Sequence, residues 1–214
     1  MHKTRSELPS NWPLPRKGTK YFVGSSHSPK EGIPIQIVLR DILKVGATRK
    51  ETRFMLLNKE ISVNGKVRIN KKFPVKVFDI ITIQKLGKNY RLEIAGKKLK
   101  FAEVKDKDAN KKVVKIIGKV LLSKNSFQMN LEDGSNFIVK DKFNTGSSAV
   151  LNLKENKIEK ILELREGAKV FVVSGKHSGK EGKVKELFEE TKEYLIKFNE
   201  GEAKLPLKVM LVID

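Results

Sequence analysis

A loop rich in glycine and lysine, close to residue 180, is the part of the sequence nearest to a phosphate-binding motif. Residues 175–180 read Gly-Lys-His-Ser-Gly-Lys, against G-x-x-x-x-G-K-[ST] for a phosphate loop. The glycine spacing is one residue short, and Glu181 stands where Ser or Thr would hold magnesium. Nucleotide hydrolysis is therefore not expected. Two interpretations stay open: an ordinary tight β-turn, or a loop whose glycine amides and side chains hold a phosphate, the candidates being Lys176, His177 and Lys180.

The sequence contains no group of residues that indicates catalysis or metal binding. The three histidines are His2, His27 and His177, and no two of them have the spacing of metal ligands. The carboxylates lie in charged runs, and no G-x-S-x-G nucleophile motif is present. The chain has no cysteine, which excludes disulfides and thiolate zinc sites. We therefore expect a protein that is not an enzyme, with no cofactor, no metal ion and no small-molecule substrate.

Positive charge is the strongest signal in the chain. Forty-five Lys and Arg against 25 Asp and Glu give a formal net charge of +20 over 214 residues. Such an excess favours a polyanionic partner, and its spread along the chain favours a large one that contacts many surfaces. A membrane fits less well, because the sequence has no amphipathic anchor, no apolar run that could span a bilayer and no secretory signal. Nucleic acid is the expected partner.

Two short helices predicted between residues 35 and 58 carry a dense group of basic side chains. Apolar residues after Pro34 recur at helical spacing and predict a first helix that ends at Gly46. A capping box at residues 48–51 starts a second helix, which runs to about Asn58. The apolar stripe of the first helix is Ile35, Val38, Leu39, Ile42 and Leu43. The candidate binding residues of the pair are Arg40, Lys44, Arg49, Lys50 and Arg53.

A β-hairpin is predicted directly after the second helix. Asn64-Gly65 separates two alternating runs, which is a strong short-range signal for a tight hairpin turn. Asn64, Lys66 and Arg68 join the candidate set, because guanidinium groups grip phosphates in a fork and lysines act as point charges. Any one of these residues alone is more simply a solvated surface residue. Together with the charge of the whole chain, they favour nucleic-acid binding.

Residues 1–32 are predicted to form an extended basic N-terminal tail. Prolines break any helix here, and the apolar content is thin. A tryptophan among cations is a poor choice for a spacer, so we expect the tail to become ordered on a partner rather than to join a core. The candidate binding residues of the tail are His2, Lys3, Arg5, Trp12, Arg16 and Lys17.

The remaining sequence predicts short β-strands. Residues 88–164 contain several strands at regular spacing, with Asp133-Gly134 as a hairpin turn, and indicate a small central β domain. Residues 165–214 have tight turns over about fifty residues, typical of a small SH3-like barrel. The predicted fold class is therefore α+β with several small domains.

An ordered set of motifs resembles a known family, the small-subunit ribosomal protein four of the archaeal and eukaryotic e-type. An alpha-L RNA-binding domain is resembled by residues 38–43, 48–51, 63–68, 73–74 and 79–80. The family's N-terminal signature is resembled by residues 2–5, Pro9, residues 12–13 and residues 16–17. Residues 167–184 look like a KOW motif. The tail departs from the family at Lys3-Thr4, where an apolar residue and Lys are typical, and the middle segment has no motif of its own.

The resemblance implies a structural protein of the small ribosomal subunit, in the cytoplasm. It implies binding to small-subunit ribosomal RNA and to neighbouring ribosomal proteins. It also implies four segments: a basic extension at 1–32, an alpha-L domain at 33–87, a central β domain at 88–164 and a KOW SH3-like barrel at 165–214.

Two other functions remain open from the sequence. KOW barrels also occur in transcription elongation factors, although the basic tail and the alpha-L motifs argue against one. An alpha-L domain can also be the non-catalytic RNA-binding arm of an RNA-modifying system. The residues outside the alpha-L and KOW motifs are few for a catalytic domain of that kind.

Overall fold

The computed structural model describes residues 3–26, 32–106, 108–123, 126–188, 193–199 and 201–213. The chain divides into two compact units, Met1–Asn110 and Lys111–Asp214. Among the described residues, antiparallel strands dominate both units, and helices are short and few. None of the described helices has the length and apolarity that a membrane span requires.

The first unit is built on one five-stranded antiparallel sheet. Its described residues form the strands β1 Lys3–Thr4, β2 Tyr21–Phe22, β3 Ile33–Pro34, β4 Ile61–Val63, β5 Lys66–Val67, β6 Pro74–Val75, β7 Ile80–Ile83, β8 Lys88–Ala95 and β9 Lys98–Val104. The large sheet has the order β5-β4-β7-β8-β9, while β1 pairs with β2 and β3 pairs with β6. Buried Ile and Val side chains of β4 and β7 provide much of the core.

The predicted hairpin is confirmed. Strands β4 and β5 pair through Ser62 with Val67 and Val63 with Lys66. Asn64 and Gly65 between them have φ of 52° and 73°, the left-handed backbone that a two-residue hairpin turn requires and that Asn and Gly adopt most readily. The Asn64-Gly65 pair is therefore sufficient to predict the geometry of this turn.

The first helical segment is shorter and less regular than predicted. Helix α1 covers Ile35–Ile37 and continues as a π-helical turn over Val38–Ile42. Pro34 belongs to β3 and precedes the helix. The turn ends at Ile42, and Lys44 beyond it has the left-handed φ of 54°, so the helical segment stops before Gly46. The periodic spacing correctly selects Ile35, Val38 and Leu39 as buried residues, but it does not distinguish an α-turn from a π-turn.

The second helix is confirmed together with its capping box. Helix α2 covers Arg49–Leu57. The Glu51 amide donates to the Thr48 hydroxyl oxygen at 3.2 Å, and the Ala47 amide donates to the Glu51 carboxylate at 2.9 Å. These bonds satisfy amides at and just before the helix start that have no partner within the helix. Hydrogen bonds that the Glu51 carboxylate receives from the Ala47 amide and from Thr48 lower the pKa of Glu51 from its ordinary value.

The N-terminal segment belongs to the first unit, which corrects the expectation of a tail without a core. Trp12 is only 3% exposed and lies edge-on to Phe22, with ring centroids 5.8 Å apart. Leu8 is also buried, and the Leu99 amide donates to the Asn11 carbonyl at 2.8 Å. The backbone bond between Leu99 and Asn11 ties the segment to β9 of the large sheet, and the two buried apolar side chains add packing to it.

The second unit contains two five-stranded antiparallel sheets. The first comprises β10 Lys111–Ser123, β11 Ser126–Leu131, β12 Asn136–Val139, β13 Ser148–Asn152 and β14 Lys157–Leu162, in the order β12-β11-β10-β13-β14. The second comprises β15 Lys169–Val172, β16 Glu181–Phe188, β17 Glu193–Phe198, β18 Gly201–Pro206 and β19 Met210–Val212, in the order β18-β17-β16-β15-β19. Strand β18 has no clear alternation in the sequence, because glycine, proline and charged residues mask it.

Contacts within the second unit join its two sheets. Lys115 of β10 is buried, and its ammonium donates to the Leu207 carbonyl and, at 3.1 Å, to the Met210 carbonyl. The Val212 amide donates to the Ser148 hydroxyl oxygen at 3.0 Å. Burial lowers the pKa of Lys115, since a charged ammonium loses its hydration there. Two predicted strand groups thus share one compact unit.

The observed division of the chain differs from the predicted boundaries at 87/88 and 164/165. Strand β8 pairs with β7, and β9 with β8, so residues 88–104 extend the sheet of the first unit. Strand periodicity predicts that a segment is a strand but not which edge it will pair with. Whether the four predicted segments can fold separately stays a prediction.

Candidate nucleic-acid interface

Exposed cations gather on one part of the first unit. Arg49 and Arg53 lie one helical turn apart on α2, and a turn separation places side chains on the same face of a helix. Both are exposed, as are Lys50 and the nearby Lys44 and Lys66. The buried residues Thr52 and Leu56 lie on the neighbouring stripe of α2, so the helix packs along that stripe while the cations beside it stay exposed.

Lys71 and Lys72 extend this basic surface, and neither is among the binding residues predicted from the sequence. The positive charge of Arg49 is the main cause that lowers the pKa of Lys71, followed by burial and by the charges of Arg53 and Lys72. The four cations are therefore close enough to repel one another. Like charges held together favour an anionic partner that relieves the repulsion. The Asn70-Lys71-Lys72 run after the hairpin was the available sequence signal. We call Arg49, Arg53, Lys71 and Lys72 the α2 basic surface.

Three predicted binding residues are engaged inside the protein. The Arg40 guanidinium donates to both Asp41 carboxylate oxygens, at 2.8 and 2.9 Å, and this bond raises its pKa. The Asn64 amide donates to Asp79 at 2.8 Å and accepts from the Ile80 amide at 3.0 Å. The Arg68 guanidinium lies 4.3 Å over the Phe73 ring. These contacts give Asn64 and Arg68 structural roles in the hairpin region, and give Arg40 one in the π-helical turn.

The N-terminal candidates separate into supporting and exposed residues. Arg5 donates to the Lys17 carbonyl at 2.8 Å and so braces its own segment. Trp12 is packed against Phe22, so the indole is not presented to a partner. Arg16 and Lys17 are exposed and Lys3 is half-buried. His2 lies outside the described residues.

The loop at residues 174–180 is held by its own hydrogen bonds. The amides of Ser178, Gly179 and Lys180 donate to backbone carbonyls of Gly175, Val172 and His177, at 3.3, 2.8 and 3.2 Å. Those three amides are therefore not directed at a ligand, which favours the tight-turn interpretation. His177 stacks on Phe198 with ring centroids 5.2 Å apart. Lys176 is exposed, while Lys180 is half-buried.

Close packing between strands requires the glycine at position 182. Gly182 lies inside β16, where an added Cβ would come within 2.5 Å of the Ile196 side chain. The position requires a small residue because neighbouring strands approach closely, not because the backbone is left-handed.

The described residues provide no metal centre. No group of three or more His, Cys, Asp or Glu side chains able to hold an ion occurs among them. The candidate site is thus a cationic surface rather than a pocket with acid, base or nucleophile.

Comparisons with known proteins point to one family. A family model described as "Ribosomal family S4e" matches residues 86–158. The small ribosomal subunit protein eS4 of Methanocella arvoryzae is 38% identical over 189 residues, covering 87% of this chain and 80% of the relative. The same protein from Methanosphaera stadtmanae is 36% identical over 190 residues, covering 87% and 79%.

A solved structure supports the same conclusion. The crystal structure of the 30S ribosomal protein S4e from Thermoplasma acidophilum has a TM-score of 0.73 and 26% identity, and covers 85% of this chain and 94% of that one. The fold and the site define a β-rich protein with extensive basic surfaces. The relatives narrow this class to one family. The chain belongs to the S4e family, that of the small ribosomal subunit protein eS4.

The family model matches a segment for which the sequence offered no motif. Residues 86–158 include β8 to β13 and part of β14. Buried strand positions of this segment, among them Ile116, Met129 and Ala149, belong to one hydrophobic core cluster.

Proposed function

We propose that the chain is a structural constituent of the small ribosomal subunit that binds the subunit's RNA and supports its assembly, without enzymatic activity. The observation that carries this proposal is the similarity to eS4 proteins along 87% of the chain. Its place is then the ribosome, in the cytoplasm, with ribosomal RNA and neighbouring ribosomal proteins as partners.

The α2 basic surface is the main RNA contact in this proposal. Arg49, Arg53, Lys71 and Lys72 are clustered, and the described residues provide them with no ion-pair partner. Ribose-phosphate backbone carries the complementary charge, and its binding would release the condensed counterions. Arg16, Lys17, Lys44, Lys50 and Lys66 would add further contacts around it.

The finer division of the molecule belongs to the same proposal. The hairpin and helix pair at residues 33–87 support an alpha-L RNA-binding domain, and the five strands after residue 165 support a KOW-type SH3-like barrel. Lys176 would then contact RNA or a neighbouring protein from an otherwise self-contained turn. The elongation-factor and modifying-arm alternatives find no support among the relatives, which carry the small-subunit name.

Binding to isolated subunits tests the proposal. Small ribosomal subunits that lack their eS4 protein should take up the purified full chain and retain it through a high-salt wash and sedimentation. Large subunits provide the control, and they should not retain it. Equal retention by both subunits would show only a non-specific polycation and would contradict the proposal.

A further inference from the structure

A small cleft in the first unit combines features that a simple phosphate contact does not need. It has a volume of about 270 Å³ and is lined by Lys3, Phe22, Val23, Gly24, Ser25, Gln36, Arg49, Lys71 and Lys72. We call it the Gln36 cleft. Four lining residues are cations, one is aromatic and one is a buried amide. Its volume lies just below the roughly 300–1,000 Å³ of typical drug-sized sites, so it suits one small flat group.

Backbone hydrogen bonds fix the walls of the Gln36 cleft. The Gln36 amide N–H donates to the Lys71 carbonyl at 3.2 Å, and the Ser26 N–H donates to the Lys72 carbonyl at 2.9 Å. The pairing of β1 with β2 places Lys3 opposite Phe22. Four of the five segments that line the cleft are therefore tied to each other, and the cleft is pre-formed.

Gln36 is the unusual residue of the cleft. Its side chain is only 1% exposed, and neither Nε2 nor Oε1 has a hydrogen-bond partner among the described residues. A buried polar group without a partner costs about 1 to 3 kcal/mol. Such groups are rare in folded proteins, and each one asks for an explanation. A ligand that offers one acceptor and one donor would supply it.

The chemistry of the lining selects among anionic partners. A carboxylate or a bare phosphate would neutralise the cations but would leave Gln36 Oε1 without a hydrogen-bond donor. A nucleobase edge carries donor and acceptor side by side and can pair with a glutamine amide. Unpaired RNA bases also pack on aromatic side chains such as Phe22, and the Trp12 ring lies edge-on to Phe22.

We infer that the Gln36 cleft binds one unpaired nucleotide of the RNA, with its base against Phe22 and Gln36 and its phosphates on Lys3, Arg49, Lys71 and Lys72. This inference rests on the proposed function and adds to it the kind of RNA that is recognised. The α2 basic surface then attracts RNA of any sequence, while the cleft distinguishes an extruded base from a continuous duplex.

Two variants of the full chain test the base contact. Gln36→Leu keeps the side chain's size but removes the amide, and Lys85→Gln is the control because Lys85 is exposed in the same unit and does not line the cleft. The probes are a small-subunit ribosomal RNA transcript and a fully paired RNA duplex. Gln36→Leu should weaken transcript binding about tenfold, leave duplex binding unchanged and not lower the melting temperature. Lys85→Gln should change the affinity for the transcript and for the duplex by the same factor.

Several results would overturn the inference. One is a Gln36→Leu protein that binds the transcript as tightly as the wild type does. Another is a Gln36→Leu protein whose affinity falls equally for the transcript and for the duplex. Another is binding of free adenosine monophosphate that depends on Gln36 while transcript affinity does not, which would assign the cleft to a free nucleotide. If the wild-type chain fails to bind the transcript at all, the proposed function fails first, and the two failures are thus distinguishable.

A photoreactive benzophenone side chain at position 22 gives an independent readout. In reconstituted small subunits it should crosslink to a single unpaired nucleotide. Crosslinks confined to paired RNA, or to a neighbouring protein, would assign the cleft to a different partner and contradict the inference.

Discussion

Arg40 and Arg53 carry the same guanidinium group but differ in what surrounds it. Arg40 donates from Nε and Nη2 to the two carboxylate oxygens of Asp41, in a fork that matches carboxylate geometry. Arg53 is exposed and lies beside other cations. A residue type alone therefore does not identify a phosphate contact; the neighbouring charge does.

The contrast between the two arginines gives a direct prediction. Arg53→Gln should weaken binding to small-subunit ribosomal RNA by about 1 to 3 kcal/mol, the range for a charged hydrogen bond. Arg40→Gln should cost about 0.5 kcal/mol or less, because Asp41 already neutralises this side chain. Filter binding measures both affinities, with thermal melts as the control for folding. Equal losses would show that Arg40 leaves Asp41 when RNA binds.

Lys115 predicts an unusual pH dependence of stability. Burial lowers the pKa of Lys115 in the folded protein, whereas in the unfolded chain it has the ordinary value of about 10.4. Between the two values the unfolded chain binds more protons, so this group makes the free energy of unfolding rise as pH increases. Below that window its charging opposes folding.

Replacing Lys115 should remove this pH effect. Lys115→Met leaves the carbonyls of residues 207 and 210 without their donor, so the free energy of unfolding should fall by about 1 to 3 kcal/mol at neutral pH. The rise of that free energy at alkaline pH should also be flatter than in the wild type. Lys111→Met is the control, because Lys111 lies on the same strand but is exposed. Urea unfolding at several pH values measures the effect, and an unchanged alkaline slope would count against it.

At the level of elements, local signals were predictable and distant pairings were not. The turn at Asn64-Gly65 and the capping box at Thr48 and Glu51 contain all the information they need within a few residues. The pair of β3 with β6 joins Ile33 to Val75, and no local pattern specifies such a partner. The π-helical turn at Val38–Ile42 also depends on its surroundings.

The same distinction applies to the candidate site. The exposed cations on α2 follow from residue type and helical spacing. Gln36, Phe22 and Lys71 do not, because the cleft exists only when five separate segments meet. A glutamine outside the apolar stripe of its helix is expected to be solvated until its burial is known.

Because the N-terminal segment is packed, Trp12 should contribute to the stability of the fold, whereas the sequence alone suggested that it binds RNA. Trp12→Ala should lower the free energy of unfolding by about 3 to 5 kcal/mol, the usual cost of deleting a large buried side chain. Trp12 is the only tryptophan, so its fluorescence in the free wild-type protein should have the blue-shifted emission of a buried indole and resist quenching by acrylamide. A fully exposed spectrum would restore the expectation of an unpacked tail.

For the whole molecule, charge predicts how RNA affinity responds to salt. With a net charge of +20, the logarithm of the binding constant should fall linearly with the logarithm of salt concentration, by about 0.7 to 0.9 for each phosphate contacted. The double variant Lys50→Gln and Arg53→Gln should reduce the slope by up to about 2, one phosphate for each charge removed. A flat response in the wild type would mean that charge neutralisation does not drive binding.

The pairing of β15 with β19 has a consequence for synthesis of the chain. The first unit contains every strand of its sheet by residue 104, whereas β15 must wait for residues 210–212 before its second edge is covered. Since domains fold as units while the chain emerges, we predict that the first unit folds while the second is still being translated. Nascent chains halted once residue 110 has left the ribosome should already protect Trp12 from quenching. An exposed indole at that stage would mean that the N-terminal unit waits for the rest of the protein.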